Sequence, residues 1–197
     1  MRRESIPTAL ISAFLLLGSA PAGAQSMTVI GGDSYARNCY AAATFAATMN
    51  SASSEDMQTC SNAIQYGSLS QRDLLATLVN RGVVAVALED YQQAVSDYER
   101  AVKLDPTTGE VYVNRGNLFF MGQAFDKAVA EYSTALQLGL GKEHVAYYNR
   151  GLAYEKMKDT ESAVADYRRA SELAPDWTRP QEKLEKLKSG PSPASSR

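Results

Sequence analysis

Leu78-Val-Asn-Arg-Gly82, Tyr112-Val-Asn-Arg-Gly116 and Tyr147-Tyr-Asn-Arg-Gly151 repeat one tripeptide in register, with glycines 34 and 35 residues apart. Twelve residues after each glycine stands an alanine: Ala94, Ala128 or Ala163. Four further on comes Tyr98, Tyr132 or Tyr167, and three beyond that Ala101, Ala135 or Ala170. A fixed period of this length marks an array of supersecondary units. Leu78, Gly82 and Ala85 follow helical spacing, as do Tyr112, Gly116 and Phe119, and Tyr147, Gly151 and Tyr154. Each Ala-Tyr-Ala set does the same on a second helix. Small residues let two helices approach, and the aromatic fills the space beside them. Glu89-Asp90, Gly122-Gln123 and Lys158-Asp159 fit tight turns between the helices, and Pro106 and Pro175 end two of the three units where Leu140 stands in the other. A glycine inside a helix costs about 1 kcal/mol against alanine, so three copies in register imply a packing reason.

The pattern resembles the tetratricopeptide repeat family from Leu75 to Pro175, in three consecutive units. That resemblance implies an all-α solenoid of helix hairpins, with repeats at 75–108, 109–143 and 144–177. Departures are Leu78 and Ala85, where larger aromatics are usual, and one extra residue in the loop from Leu138 to Lys142. Residues 34–72 read as a degenerate N-terminal hairpin of two helices, Ser34 to Met49 and Ser54 to Tyr66; Cys60 and Ala63 keep the spacing of Tyr98 and Ala101. Terminal repeats are atypical because one face meets water. Residues 178–188 read as a short capping helix with Trp177, Leu184 and Leu187 packing inward, and 189–197 as a Pro/Ser tail expected to be disordered.

Composition narrows the function. The chain has 197 residues, 45% hydrophobic and 21% charged, with a net charge of −2. A dedicated nucleic-acid binder would carry a basic excess. One histidine and two cysteines supply a multi-ligand zinc site or a Ser-His-Asp triad poorly. No catalytic residue, metal site or cofactor is assigned; His144, opening the third repeat, reads as a surface residue at a helix start.

Residues 1–24 have the order of a signal peptide: Arg2 and Arg3, an apolar run from Ala9 to Leu17, then Ala22-Gly23-Ala24. Cleavage is expected after Ala24, with 25–33 as a linker. The apolar run is too short for a permanent span of a bilayer about 30 Å thick, so no stable membrane insertion is expected. The mature chain is expected to be exported, periplasmic in a Gram-negative source or otherwise secreted. In an oxidising compartment Cys39 and Cys60, 21 residues apart on the two helices of the first hairpin, suit a disulfide. Closing that loop stabilises by about 3 kcal/mol in the chain-entropy account. A redox-active role is the alternative, though the C-x-x-C spacing of thiol oxidoreductases is missing.

Two rows of polar residues stay open in the sequence. Arg81, Arg115 and Arg150 are each followed sixteen residues later by an acid, Asp97, Glu131 or Asp166. They read as a ladder of ion pairs between helices or as a site for an anionic ligand. Asn80, Asn114 and Asn149 resemble the family's groove asparagines, which hydrogen-bond peptide backbones, or else they bond the neighbouring repeat. The family's concave positions fall here at Val79, Val83 and Val86, at Val113, Asn117 and Phe120, and at Tyr148, Leu152 and Glu155. Val79, Val145 and Asn149 replace the basic residues with which some cytosolic co-chaperone members clamp a C-terminal carboxylate. The resulting apolar groove suits an extended peptide or an amphipathic helix. The expected function is therefore a non-enzymatic protein-interaction scaffold or assembly factor whose partner is another protein or peptide. The alternative is a structural envelope protein that associates with itself.

Overall fold

A computed structural model of the chain describes residues 23–29 and 34–189. Residues 1–22 of the expected signal peptide (1–24), residues 30–33 of the expected linker and residues 190–197 of the expected tail (189–197) lie outside the described residues. Among the described residues there are nine helices and no strand. They are α1 (Ser34–Met49), α2 (Ser54–Tyr66), α3 (Gln71–Ala87), α4 (Tyr91–Leu104), α5 (Gly109–Met121), α6 (Phe125–Leu138), α7 (Glu143–Lys156), α8 (Thr160–Leu173) and α9 (Arg179–Ser189). The all-α hairpin solenoid expected from the repeats is the fold observed, with a stapled first hairpin and a terminal helix. None of the described helices is long and apolar enough to cross a membrane.

Local chemistry sets the helix ends. Ser53, Ser70, Asp90 and Asp159 each accept a backbone N–H of the first turn of α2, α3, α4 and α8. In the three repeats the hairpin turn closes by a backbone bond over five residues: Asp90 N to Ala85 O, Ala124 N to Phe119 O and Asp159 N to Tyr154 O, at 2.8–2.9 Å. The residue before each closing nitrogen is left-handed: Glu89, Gln123 and Lys158, at φ of 60–64°.

The tripeptide works because successive helical residues point about 100° apart. The glycine lets the partner helix in. A Cβ on Gly116 would stand 2.5 Å from Tyr132 Cε1, and one on Gly151 would stand 2.8 Å from Tyr167 Cε1; Gly82 meets Tyr98 in the same way. These three tyrosines are fully buried, with Ala94, Ala101, Ala128, Ala135, Ala163 and Ala170 packed around them. Cys39 and Cys60 are joined, with Cα atoms 4.7 Å apart, and lie buried among Ala43, Ala46, Val83 and Val84. At the other end Trp177, Leu184 and Leu187 pack on the core of the last two repeats.

Candidate functional site

The arginines face their acids. Arg81 donates Nε and Nη2 to Asp97 at 2.8 and 2.7 Å, and Arg150 grips Asp166 with the same two groups at 2.8 Å. Arg115 reaches Glu131 through Nη2 at 2.6 Å. Nη1 of Arg81 and of Arg150 also reaches back one hairpin, to Ser61 at 3.2 Å and to Ser133 at 2.9 Å. Each of these two forks therefore ties three helices together. Burial pushes the Glu131 carboxyl above its ordinary range, and Arg115 offsets only part of that rise.

The asparagines behave differently. Asn114 accepts the N–H of Gln25 at 2.9 Å and donates to the carbonyl of the same residue at 3.0 Å. Asn80 does the same for Met27, at 2.7 and 2.8 Å. Two side-chain amides one repeat apart thus hold alternate residues of an extended stretch, Gly23 to Val29. Alternate residues of an extended chain share a side and stand about 6.6 Å apart. The stretch runs alongside α1 in the opposite direction: Gly23 abuts the Ala47 carbonyl, Ser26 Oγ stands 3.1 Å from Thr44 Oγ1, and Val29 packs with Ala36. Met27 packs against the core cluster that includes Leu75, Leu78 and Val79 of α3. Gln25 and Val29 are each only 8% exposed. Residues 25–33, read as a linker, therefore begin with a segment seated on the inner helices.

The third asparagine is diverted. Asn149 Nδ2 donates to Asn117 Oδ1 at 2.9 Å, and the Tyr132 hydroxyl donates to the same oxygen at 2.8 Å. The other concave positions divide in the same way. Val79 and Val83 are buried around the segment and the disulfide, Val86 is half-buried, and Val113 lies in the core of the last two repeats. Phe120 is 7% exposed and meets Phe125 edge-on at 5.3 Å, which makes it a core residue. Tyr148 is covered by Trp177 at 4.8 Å, and Leu152 is buried beneath. Glu155 takes the Tyr167 hydroxyl at 2.7 Å and Lys183 of α9 at 3.0 Å. Burial raises the Glu155 carboxyl, but those two donors outweigh it and hold it below the ordinary value. His144 lies 5.4 Å from the Trp177 ring, where burial and then Lys142 favour its neutral form.

The seated segment is the feature the sequence reading missed. Met27 and Val29 alternate with Ser26 and Thr28, the period of an extended strand with one buried side. That short alternation is the only local signal.

Comparison with known proteins agrees with the fold. The tetratricopeptide repeat family matches residues 79–143 and again 144–176. The chain belongs to the tetratricopeptide repeat family. It is 35% identical over 68 residues to human Tetratricopeptide repeat protein 6, covering 34% of this chain and 13% of that one. It is 30% identical over 92 residues to Hsp70-Hsp90 organizing protein 3 of Arabidopsis thaliana, covering 47% and 16%. The chain thus spans only a small part of the curated relatives it matches. The solved structure described as the Arabidopsis OM64 TPR domain superposes with a TM-score of 0.57 at 25% identity, over 61% of this chain and 99% of that one. The tetratricopeptide repeats here cover α3 to α8, and the stapled hairpin and α9 flank them.

Proposed function

We propose that this tetratricopeptide repeat protein is an exported, non-enzymatic interaction scaffold that holds an extended polypeptide on its inner helices in the cell envelope. The paired backbone bonds of Asn80 and Asn114 carry this reading: each amide satisfies both the N–H and the C=O of one residue, at alternate positions. Such contacts read backbone shape, so they suit a polypeptide partner. The relatives include Hsp70-Hsp90 organizing proteins, whose names denote assembly of other proteins. Export rests on the order of residues 1–24 and fits the disulfide, since reducing compartments keep thiols free. Cleavage after Ala24 would leave Gln25 first and preserve every bond of the asparagine pair.

Two measurements test the proposal. N-terminal sequencing of the chain recovered from the envelope should begin at Gln25; recovery of the uncut chain from the cytosol overturns export. A photoreactive side chain at the half-buried Val86 should capture a protein in cells, and capture should vanish in Asn80→Ala/Asn114→Ala. Capture unchanged by the double substitution overturns the groove. Self-association is the second reading, favoured by Tyr35, Phe45, Met49 and Tyr66, large apolar side chains exposed on the first hairpin. Light scattering that gives a concentration-independent monomer mass overturns it.

A further inference from the structure

Gln25 sits in the groove imperfectly. Its backbone is fully bonded by Asn114, yet its side-chain Nε2 is buried with no hydrogen-bond partner among the described residues. A buried donor without an acceptor loses its water and gains nothing in return. By contrast, Met27 and Val29 fill apolar space on α3 and α1. The segment is therefore held by its backbone and two side chains, and opposed by a third. Its tether is short, since only four residues separate Val29 from α1. A short tether keeps a weak ligand at high effective concentration.

We propose that Gln25–Val29 is a built-in occupant of the peptide groove, and that the outside ligand is an extended peptide which takes Asn80 and Asn114 by displacing it. This rests on the peptide-holding reading above and adds both a gate and a ligand chemistry. The ligand runs with its N-terminal end toward the later repeats, as Gln25 on α5 precedes Met27 on α3. The two residues on the asparagines must each offer an N–H, which excludes proline at both. The residue at the Met27 position is apolar and unbranched or nearly so. The residue at the Gln25 position is apolar too, because an amide there is left unpaired. A ligand of this kind gains where the resident segment loses.

The probe is an acetylated, fluorescein-labelled peptide of residues 25–29, and a second in which Met replaces the leading Gln; the readout is anisotropy against the whole chain. Met27→Pro removes the N–H that Asn80 accepts and should open the gate. Binding should then tighten about tenfold or more, since apparent affinity scales with the fraction of open groove. Adding Asn80→Ala/Asn114→Ala to Met27→Pro should abolish it, and the Met-led peptide should bind tighter than the Gln-led one. A second construction stands independently of that proline. Cysteines replacing Ser26 and Thr44, whose hydroxyl oxygens lie 3.1 Å apart at the surface, should lock the segment when oxidised. The locked chain should bind neither peptide, and mild reduction, which leaves the fully buried Cys39–Cys60 bond intact, should restore binding. Equal binding by locked and unlocked chain, still lost without the asparagines, overturns the gate and leaves the groove standing. No binding to reduced or proline-bearing chain whose helical circular dichroism is unchanged overturns both.

Discussion

Asp97 accepts two hydrogen bonds from Arg81, at 2.7 and 2.8 Å, and its side chain is entirely shielded from solvent. A carboxylate in that position depends on its partner, because removing one member of a buried pair strands the other charge. Arg81→Met should therefore destabilise the chain by about 3–5 kcal/mol in urea unfolding. Glu131 offers a contrast: it is held by a single 2.6 Å bond, and its second oxygen has no partner among the described residues. Burial already favours its neutral form, so Glu131→Gln should cost less than about 1 kcal/mol. Equal losses at the two sites would refute the difference in roles.

The three buried tyrosines should respond to loss of their hydroxyls with opposite signs. Tyr132 donates to Asn117 and Tyr167 to Glu155, whereas the Tyr98 hydroxyl is buried with no partner among the described residues. The first repeat has Val83 and Val86 where the later ones carry Asn117 and Glu155. Tyr98→Phe should raise stability by about 1 kcal/mol, while Tyr167→Phe, which removes a bond to a carboxylate, should cost about 1.5–3 kcal/mol. Thermal unfolding midpoints that fall in both variants would contradict this account.

Which features could be read in advance follows from how far apart their partners lie in the chain. Arg81 and Asp97, like Gly82 and Tyr98, are sixteen residues apart within one hairpin, and three copies repeat the spacing. The cysteines sit on adjacent helices of one hairpin, so the expectation of export suggests their union. The seated segment has no such signal. Gln25 and Met27 find their asparagines 89 and 53 residues away, and two alternating apolar residues are too few to mark a strand. Over the last repeats two of the expected lining residues bond within the fold: Asn117 accepts from Asn149 and Tyr132, and Glu155 from Tyr167 and Lys183, none of which is a neighbour in sequence.

A missing cap sets up a stabilising substitution. Asp90 and Asp159 cap α4 and α8 by accepting the N–H of Gln93 and Ser162, while Ala124 begins α6 with no side-chain cap. Backbone angles at the three positions agree closely: φ of −83°, −85° and −84° with ψ of 70°, 66° and 80°. Aspartate at 124 thus needs no rearrangement. Ala124→Asp should stabilise by about 1 kcal/mol, measured as a higher urea midpoint with an unchanged slope.

Acid should release α9 before it unfolds the repeats. Lys183 joins α9 to Glu155, and Trp177, the only tryptophan, leads into that helix against Tyr148 at 4.8 Å. Burial alone would raise the Glu155 carboxyl, but the Tyr167 hydroxyl and Lys183 hold it below its ordinary value of 4.5. A carboxyl lowered by folding stabilises the docked state above the unfolded value, and that contribution fades as pH falls through the folded one. Glu131, raised by burial, has the opposite sign, favouring the folded chain at low pH, and so cannot be the source of an acid loss. Trp177 emission should therefore shift below pH 4.5 while the far-ultraviolet helix signal is still high. In Glu155→Gln the shift should disappear, and α9 should be cut faster by protease at neutral pH. An emission change that coincides with global unfolding, or survives the substitution, would show that another contact holds the helix.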